Sequence, residues 1–320
     1  MFSPSQQCPD PRRVVVQGDG GTGKSTLCHY LTYNWALGTL KSMSRFNLVF
    51  YVDLRFASGS LIQSIIDQNL PDGSKTINQL NKLIQENQKE ILIILDGFEH
   101  LNIDKHHEIM DVIMKCSLRH CNLLVTADNK YAGATLYKHF DRKLVIMGLQ
   151  KDAQLLLVEK YETLAEVHPE FYDDLVEEIT DDDKDMLRIL ALNPLYCLCL
   201  CFICEVQGNL EVTTATALLH SFISSIKKHY LEKHAIPETA VGVIEQVDKN
   251  MAHASYLAFK CLSAQNETLE YEDSGDITNK EPIREFGIIQ FSKQDSHEDY
   301  YFKHTAVCSY LAAEHLTNLD

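Results

Sequence analysis

A glycine-rich stretch that directly follows a short apolar run constrains the fold of this chain more than any other feature. Three valines at residues 14–16 precede QGDGGTGKST at residues 17–26. Within that stretch, Gly18, Gly23, Lys24 and Ser25 fit the spacing G-x-x-x-x-G-K-[ST], which is typical of a loop that wraps a phosphate between a strand and a helix. The pattern therefore predicts a P-loop in an α/β fold with a parallel sheet.

The residue types in this loop match what phosphate binding requires. Glycine adopts positive φ at little cost, so that successive backbone N–H groups can converge on phosphate oxygens. The lysine reaches the β- and γ-phosphates, and the hydroxyl of Ser25 is a ligand for Mg²⁺. A glycine-rich turn with a surface lysine is the alternative interpretation. We predict that ATP or ADP binds here with Mg²⁺, held by Gly18, Gly20, Gly21, Thr22, Gly23, Lys24, Ser25 and Thr26.

A carboxylate that helps to hold the metal should stand at the end of another buried strand. Asp96 has this place, after the apolar run ILIIL at residues 91–95. We predict that Asp96 joins Ser25 as a metal ligand, although an aspartate in this position can also cap a helix. Glu99 is the nearest candidate to orient an attacking water, and a solvated loop carboxylate would have the same signature.

The chain changes character near its midpoint. Before residue 150, short β-type runs alternate with helical patterns, which predicts strands at 14–17, 48–54, 91–96, 122–127 and 143–147 and helices at 24–37, 61–68, 77–87 and 106–118. From about residue 151 the pattern is helical, apart from a small hairpin predicted from residues 286–292 and 300–304. We therefore predict a P-loop NTPase sheet flanked by helices and followed by a mainly helical half.

Charge and composition exclude several classes of partner. The formal net charge is −16, and no basic cluster is longer than the pair Lys227-Lys228, so we predict no direct binding of nucleic acid. The longest apolar stretch, at residues 189–206, is broken by Asn193-Pro194 and Glu205, so we predict no membrane span. The first residues lack the apolar segment of a secretory signal, and the ten cysteines are scattered. We therefore predict reduced thiols and a cytoplasmic protein.

Several segments together resemble the NACHT domain of NOD-like receptors, which belong to the STAND class of P-loop NTPases. They are VVVQGDGGTGKSTL, YNWALGTL, FNLVFYVDLR and ILIILDGFEHL in the first half. In the second half, residues 144–161, 190–203 and 302–316 are similar to the exit from the nucleotide domain, a helical-domain motif and a winged-helix signature of that family. The resemblance implies a nucleotide-binding domain at 1–148, helical domain 1 at 149–210 and a winged-helix domain at 211–320.

The resemblance also implies a switch in innate-immune or cell-death signalling. In such proteins ADP keeps the domains closed, and its exchange for ATP opens them and permits oligomerisation. The family's helical-domain proline corresponds to Pro194 and its winged-helix histidine to His304, both as nucleotide contacts. A helix N-terminal proline and a structural histidine are the alternatives for these two residues. Signalling partners would bind through effector or sensor domains outside these residues.

Two departures from the family concern hydrolysis. The sensor strand of the family usually ends in Thr-Ser-Arg, whereas this chain has Thr126-Ala127-Asp128, which places an acidic residue where an arginine would face the γ-phosphate. The acidic pair after the magnesium aspartate is here Glu99-His100, so that one carboxylate is lost. We predict at most slow ATP hydrolysis. A nucleotide-locked scaffold and a P-loop ATPase with true turnover remain the alternatives to the switch.

Overall fold

The structure is a computed structural model that describes most of the chain. The described residues are 1–70, 77–103, 105–131, 134–165, 170–180, 185–208, 210, 212–237, 239–264, 268–270, 281–294 and 297–318. The chain divides into two compact units, Met1–Met147 and Gly148–Asp320, and each has its own hydrophobic core. The predicted boundary at residue 210 within the second unit stays a prediction.

The first unit contains a five-stranded parallel sheet, as the sequence predicts. Its strands lie in the order β2-β3-β4-β1-β5, and every pairing between neighbours is parallel. β1 therefore lies between β4 and β5 and pairs with neither β2 nor β3, the next two strands in the sequence. The strands are β1 Arg13–Gly18, β2 Leu48–Asp53, β3 Ile91–Asp96, β4 Asn122–Asp128 and β5 Arg142–Val145.

Helices cover both faces of this sheet because the strands are apolar on both sides. Alternate residues of a strand point to opposite faces, and accordingly Leu92 and Ile94 belong to one apolar cluster whereas Ile91, Ile93 and Leu95 belong to the other. Apolar side chains of α1 belong to the first cluster, and apolar side chains of α2, α3 and α4 belong to the second. The helices are α1 Lys24–Ala36, α2 Leu61–Asn69, α3 Ile77–Glu86, α4 His107–Ile113 and α5 Ala134–Tyr137.

The fourth helix is shorter than predicted. The apolar spacing predicts a helix at 106–118, but α4 ends at Ile113, and both Lys115 and Leu118 have left-handed φ values of 64° and 43°. Leu118 is nevertheless buried. Its place in the apolar pattern therefore reflects burial of a turn residue rather than continuation of the helix.

A buried arginine joins β1 to the end of α4. Arg13 is 1% exposed and donates to the carbonyls of Val112 and Ile113 at 2.6 and 2.7 Å and of His139 at 2.9 Å. Burial lowers the pKa of its guanidinium, an effect that Asp141 partly opposes. The carbonyls at a helix C-terminus carry partial negative charge, so they compensate the buried cation.

The second unit is mainly helical and includes a small antiparallel sheet. The predicted hairpin is present as β7 and β8, and a third short strand, β6, pairs with β8. Among the described helices, none is long and apolar enough to cross a membrane. The elements are α6 Lys151–Ala165, α7 Glu170–Thr180, α8 Asp185–Ala191, α9 Pro194–Gln207, α10 Ala215–Lys233, α11 Val241–Ser263, β6 Thr268–Glu270, α12 Glu281–Glu285, β7 Ile289–Gln294, β8 His297–Phe302 and α13 Thr305–Thr317.

Candidate nucleotide-binding site

The glycine-rich loop connects β1 to α1 as the motif requires. β1 ends at Gly18 and α1 begins at Lys24, with Gly23 as its N-cap residue. Gly21 and Gly23 have φ values of 79° and 96°, in the left-handed region that favours glycine. At Gly18 the reason for glycine is space, because a Cβ atom would lie 2.7 Å from Thr22 Oγ1. The loop thus leads into the N-terminus of a 13-residue helix, whose free N–H groups attract anions.

Lys24 lies against the loop rather than in solvent. It is 9% exposed, and its Nζ donates to the carbonyls of Gly18 at 2.8 Å and Asp19 at 3.2 Å. Asp19 is itself held, since its Oδ1 accepts from Asn129 Nδ2 at 2.7 Å. The alternative of a glycine turn with a surface lysine therefore does not describe this loop.

Asp96 lies at the carboxyl edge of the sheet, and both of its carboxylate oxygens accept hydrogen bonds. It is 2% exposed. Its Oδ1 accepts from Thr126 Oγ1 at 2.5 Å and lies 3.9 Å from Cys28 Sγ, and its Oδ2 accepts from Tyr51 Oη at 3.0 Å. Burial, followed by the charge of Asp96, raises the pKa of Tyr51 and that of the Cys28 thiol well above their ordinary values. Both groups are therefore protonated donors.

Thr126 also fixes the loop that follows Asp96. Its hydroxyl oxygen accepts from the backbone N–H of Gly97 at 2.7 Å. Gly97 has a φ of 81°, and a Cβ atom there would lie 2.5 Å from the His100 ring. The glycine after the aspartate is thus required by its backbone conformation and by the neighbouring ring.

Glu99 lies beside Lys24 and is not a solvated loop carboxylate. Its side chain is 14% exposed, and its Oε1 lies 3.9 Å from Lys24 Nζ. Its Oε2 accepts from the backbone N–H of Asp128 at 2.9 Å. The structure therefore brings Lys24, Asp96 and Glu99 to one edge of the sheet, while the role of Glu99 in orienting water stays a prediction.

A second aspartate at this edge was not anticipated from the sequence. Asp53 ends β2 and pairs in register with Asp96 at the end of β3. The Arg55 guanidinium binds both of its carboxylate oxygens, with a shortest distance of 2.7 Å. A sequence signal for Asp53 was present, because the apolar runs of β2 and β3 both end in aspartate, as Val52-Asp53 and Leu95-Asp96. Arg55 thus balances the negative charge of Asp53 at this edge.

Asp128, which stands where the resemblance implies an arginine, is engaged in a local turn. Its Oδ1 accepts from the backbone N–H of Lys130 at 3.0 Å, and its carbonyl accepts from that of Tyr131 at 3.0 Å. Asparagine and aspartate commonly form such turns. The expected effect of Asp128 on a phosphate stays a prediction.

The remaining predicted contacts are distributed over both units. Ser25 and Thr26 are exposed on the first turn of α1. In the second unit, Pro194 is the first residue of α9, after the N-cap residue Asn193, so the alternative of a helix N-terminal proline is correct as a description of its position. His304 is the N-cap residue of α13 and lines a cavity of about 270 Å³ among apolar side chains of the second unit. The roles of Pro194 and His304 toward a nucleotide stay predictions.

The residues at the sheet edge fit a magnesium ion in their chemistry. Mg²⁺ prefers hard oxygen ligands and keeps several of its waters. Ser25 offers a hydroxyl and Asp96 a carboxylate, and together they would hold the ion against the phosphates. Bound there, Mg²⁺ would neutralise phosphate charge.

Comparison with known proteins finds a match to a known domain. The NACHT domain model matches residues 12–165. NLR family CARD domain-containing protein 4 of Bos taurus is 24% identical over 312 residues, which cover 95% of this chain and 29% of that protein. NACHT, LRR and PYD domains-containing protein 12 of Homo sapiens is 33% identical over 111 residues, which cover 33% of this chain and 10% of that protein. The chain thus spans less than a third of the length of these relatives.

A solved structure of the Aeropyrum pernix ORC2 protein, in ADPNP and ADP complexes, is similar with a TM-score of 0.41 and 12% identity. The similar region covers 96% of this chain and 89% of the ORC2 chain. The P-loop fold and the NACHT match together imply nucleotide binding.

Proposed function

Because residues 12–165 match the NACHT domain model, we propose that this chain is a nucleotide-controlled signalling switch of innate immunity or cell death. The observation that carries the proposal is the buried ammonium of Lys24, held at the loop by two backbone carbonyls. An ammonium fixed beside the N-terminus of α1 is suited to the β-phosphate that ADP and ATP share. Ser25 and Asp96 would hold Mg²⁺ beside it.

The switch would work through differential affinity. A nucleotide shifts a conformational equilibrium only by the difference between its affinities for the two conformations. In the ADP form, Pro194 and His304 of the second unit would add contacts that the ATP form lacks. Those contacts would keep the protein closed, and their loss would allow copies of the chain to associate. We propose the cytoplasm as its location.

A nucleotide-locked scaffold is the second candidate. Asp128 stands where the family has its sensor arginine and is bound within its own turn. A site without that arginine would stabilise the γ-phosphate less well, so hydrolysis would be slow and bound nucleotide would persist. A P-loop ATPase with rapid turnover is the third candidate and is disfavoured by the same residue.

Nucleotide content after purification tests the proposal. The chain would be purified without added nucleotide and denatured, and the released nucleotide would be identified by anion-exchange chromatography. We expect stoichiometric ADP in the wild type and little in Lys24→Ala or His304→Ala. Lys82→Ala and His107→Ala are matched controls, since both residues lie exposed in the first unit. Absence of nucleotide from the wild type, with no thermal shift on adding ADP or ATP, would refute the switch.

If the wild type contains ADP, the exchange of this ADP for added ATP distinguishes the remaining candidates. Replacement by ATP followed by association supports the switch. Retention of ADP in the presence of excess ATP supports the locked scaffold.

A further inference from the structure

Asp96 is held by one side chain from each neighbouring strand. Thr126 of β4 donates to Oδ1 and Tyr51 of β2 donates to Oδ2. Strand register explains the second contact. Asp53 pairs with Asp96, and Tyr51, two residues earlier, points to the same face of the sheet as Asp53. The phenol can therefore reach across to the carboxylate.

Tyr51 is fixed at its backbone as well as at its hydroxyl. Asn69, the last residue of α2, accepts from the backbone N–H of Tyr51 at 3.1 Å and donates to its carbonyl at 2.8 Å. Gln68 binds the backbone of Asp53 in the same manner, at 2.8 and 3.1 Å. β2 is the edge strand of the sheet, and the two amides satisfy its outer edge at these positions. The position of the phenol is thus determined before any ligand arrives.

The Asp96 carboxylate retains capacity for one further partner. An ionised carboxylate offers about four lone-pair sites, and the hydroxyls of Thr126 and Tyr51 and the Cys28 thiol account for three of them. These contacts fix the rotation of the carboxylate. Groups of this kind, hydrogen-bonded to a metal-binding carboxylate, commonly determine how strongly the metal is held.

We propose that Tyr51 is a positioning residue that orients Asp96 for the magnesium ion of a bound nucleotide. The inference rests on the proposed function, because it assumes that Mg²⁺ and ADP bind together at the P-loop. Tyr51 acts through Asp96 and does not contact the phosphates itself. Its hydroxyl should therefore affect nucleotide affinity only when the metal is present.

The test compares nucleotide affinity with and without magnesium in Tyr51→Phe. This change keeps the ring, which packs against His29 with centroids 4.7 Å apart, and removes the hydroxyl. Affinity for a fluorescent ADP would be measured in excess Mg²⁺ and in EDTA. In Tyr51→Phe we expect the gain in ADP affinity produced by Mg²⁺ to fall about 10- to 100-fold. The ADP affinity measured in EDTA should stay within about twofold of that of the wild type. Tyr30→Phe, an exposed tyrosine of α1, should behave as the wild type.

A double-mutant cycle provides the second measurement. In an Asp96→Asn background, Tyr51→Phe should change the magnesium dependence no further, because the group that it orients is already altered. An unchanged magnesium gain in Tyr51→Phe alone overturns the inference, as does an equal loss of affinity in EDTA, which would indicate a purely structural role. Wild-type protein that binds no nucleotide in either condition overturns the proposed function together with this inference.

Discussion

Replacing Thr126 by valine would test whether the loop after β3 is held by the hydroxyl described above. Thr126 is fully buried, and its Oγ1 has two roles. It donates to Asp96 Oδ1 and accepts from the backbone N–H of Gly97. Valine has nearly the same shape but can make neither hydrogen bond. The buried carboxylate then loses one donor and the buried N–H group loses its partner.

The loss in free energy of unfolding expected for Thr126→Val follows from these two hydrogen bonds. A hydrogen bond to a charged group contributes about 1.5–3 kcal/mol, and leaving a buried N–H unsatisfied costs about 1–3 kcal/mol. Since both effects involve one hydroxyl, we expect about 4 kcal/mol for Thr126→Val, a large part of the roughly 5–15 kcal/mol that stabilises a typical domain. Thr126→Ser keeps the hydroxyl and loses one methyl group, so it should cost only about 1 kcal/mol.

The chain carries its own probe for this measurement. Its single tryptophan, Trp35, lies in the first unit, where its Nε1 donates to the carbonyl of Phe46 at 2.8 Å. Urea unfolding followed by tryptophan emission, in EDTA and without nucleotide, therefore reports on the unit that contains Thr126. If the valine and serine variants differ by less than about 1 kcal/mol, the hydroxyl does not hold the loop and the reasoning is refuted.

Two further predictions concern other parts of the fold. Arg13→Lys should destabilise the first unit by about 3 kcal/mol, because an ammonium cannot reach all three carbonyls that the guanidinium binds. Urea unfolding followed by tryptophan emission would measure this loss of stability, and a loss below about 1 kcal/mol would contradict the prediction. Glu285 accepts from His234 at 2.8 Å and from Lys233 at 3.1 Å, and these hydrogen bonds lower its pKa below the ordinary 4.5. The stability that it adds is present above pH 4.5 and is lost as pH falls through the depressed pKa. The difference between wild type and Glu285→Gln in thermal unfolding should therefore shrink as the pH is lowered below 4.5. A difference that does not change with pH would contradict this assignment.

The sequence predicted the parts of the site that local patterns encode. The strand, glycine loop and helix are contiguous, and Asp96 follows directly from an apolar run. Each of these features depends on residues within a few positions of one another, so no knowledge of strand order was needed. The five strands of the first unit were predicted within a few residues of their observed ends for the same reason.

The contacts around Asp96 could not be predicted in this way. They depend on β3 lying between β2 and β4, and several strand orders are compatible with the same alternation of strands and helices. Thr126 and Tyr51 acquire their roles only once that order is fixed. Arg13 was similarly overlooked, since nothing local shows that its partners lie about a hundred residues later in the chain.

The position of β1 in the sheet has a consequence for biosynthesis. Among the described strands, β1 pairs with β4 and β5 and with neither β2 nor β3. Roughly 100 further residues must leave the ribosome before β4 is available, which takes on the order of 5–20 s at about 5–20 residues per second. Until then the three valines of the first strand and the adjoining loop have no sheet to join. We therefore expect the phosphate loop to form late in synthesis and the apolar first strand to be accessible to chaperones during this interval.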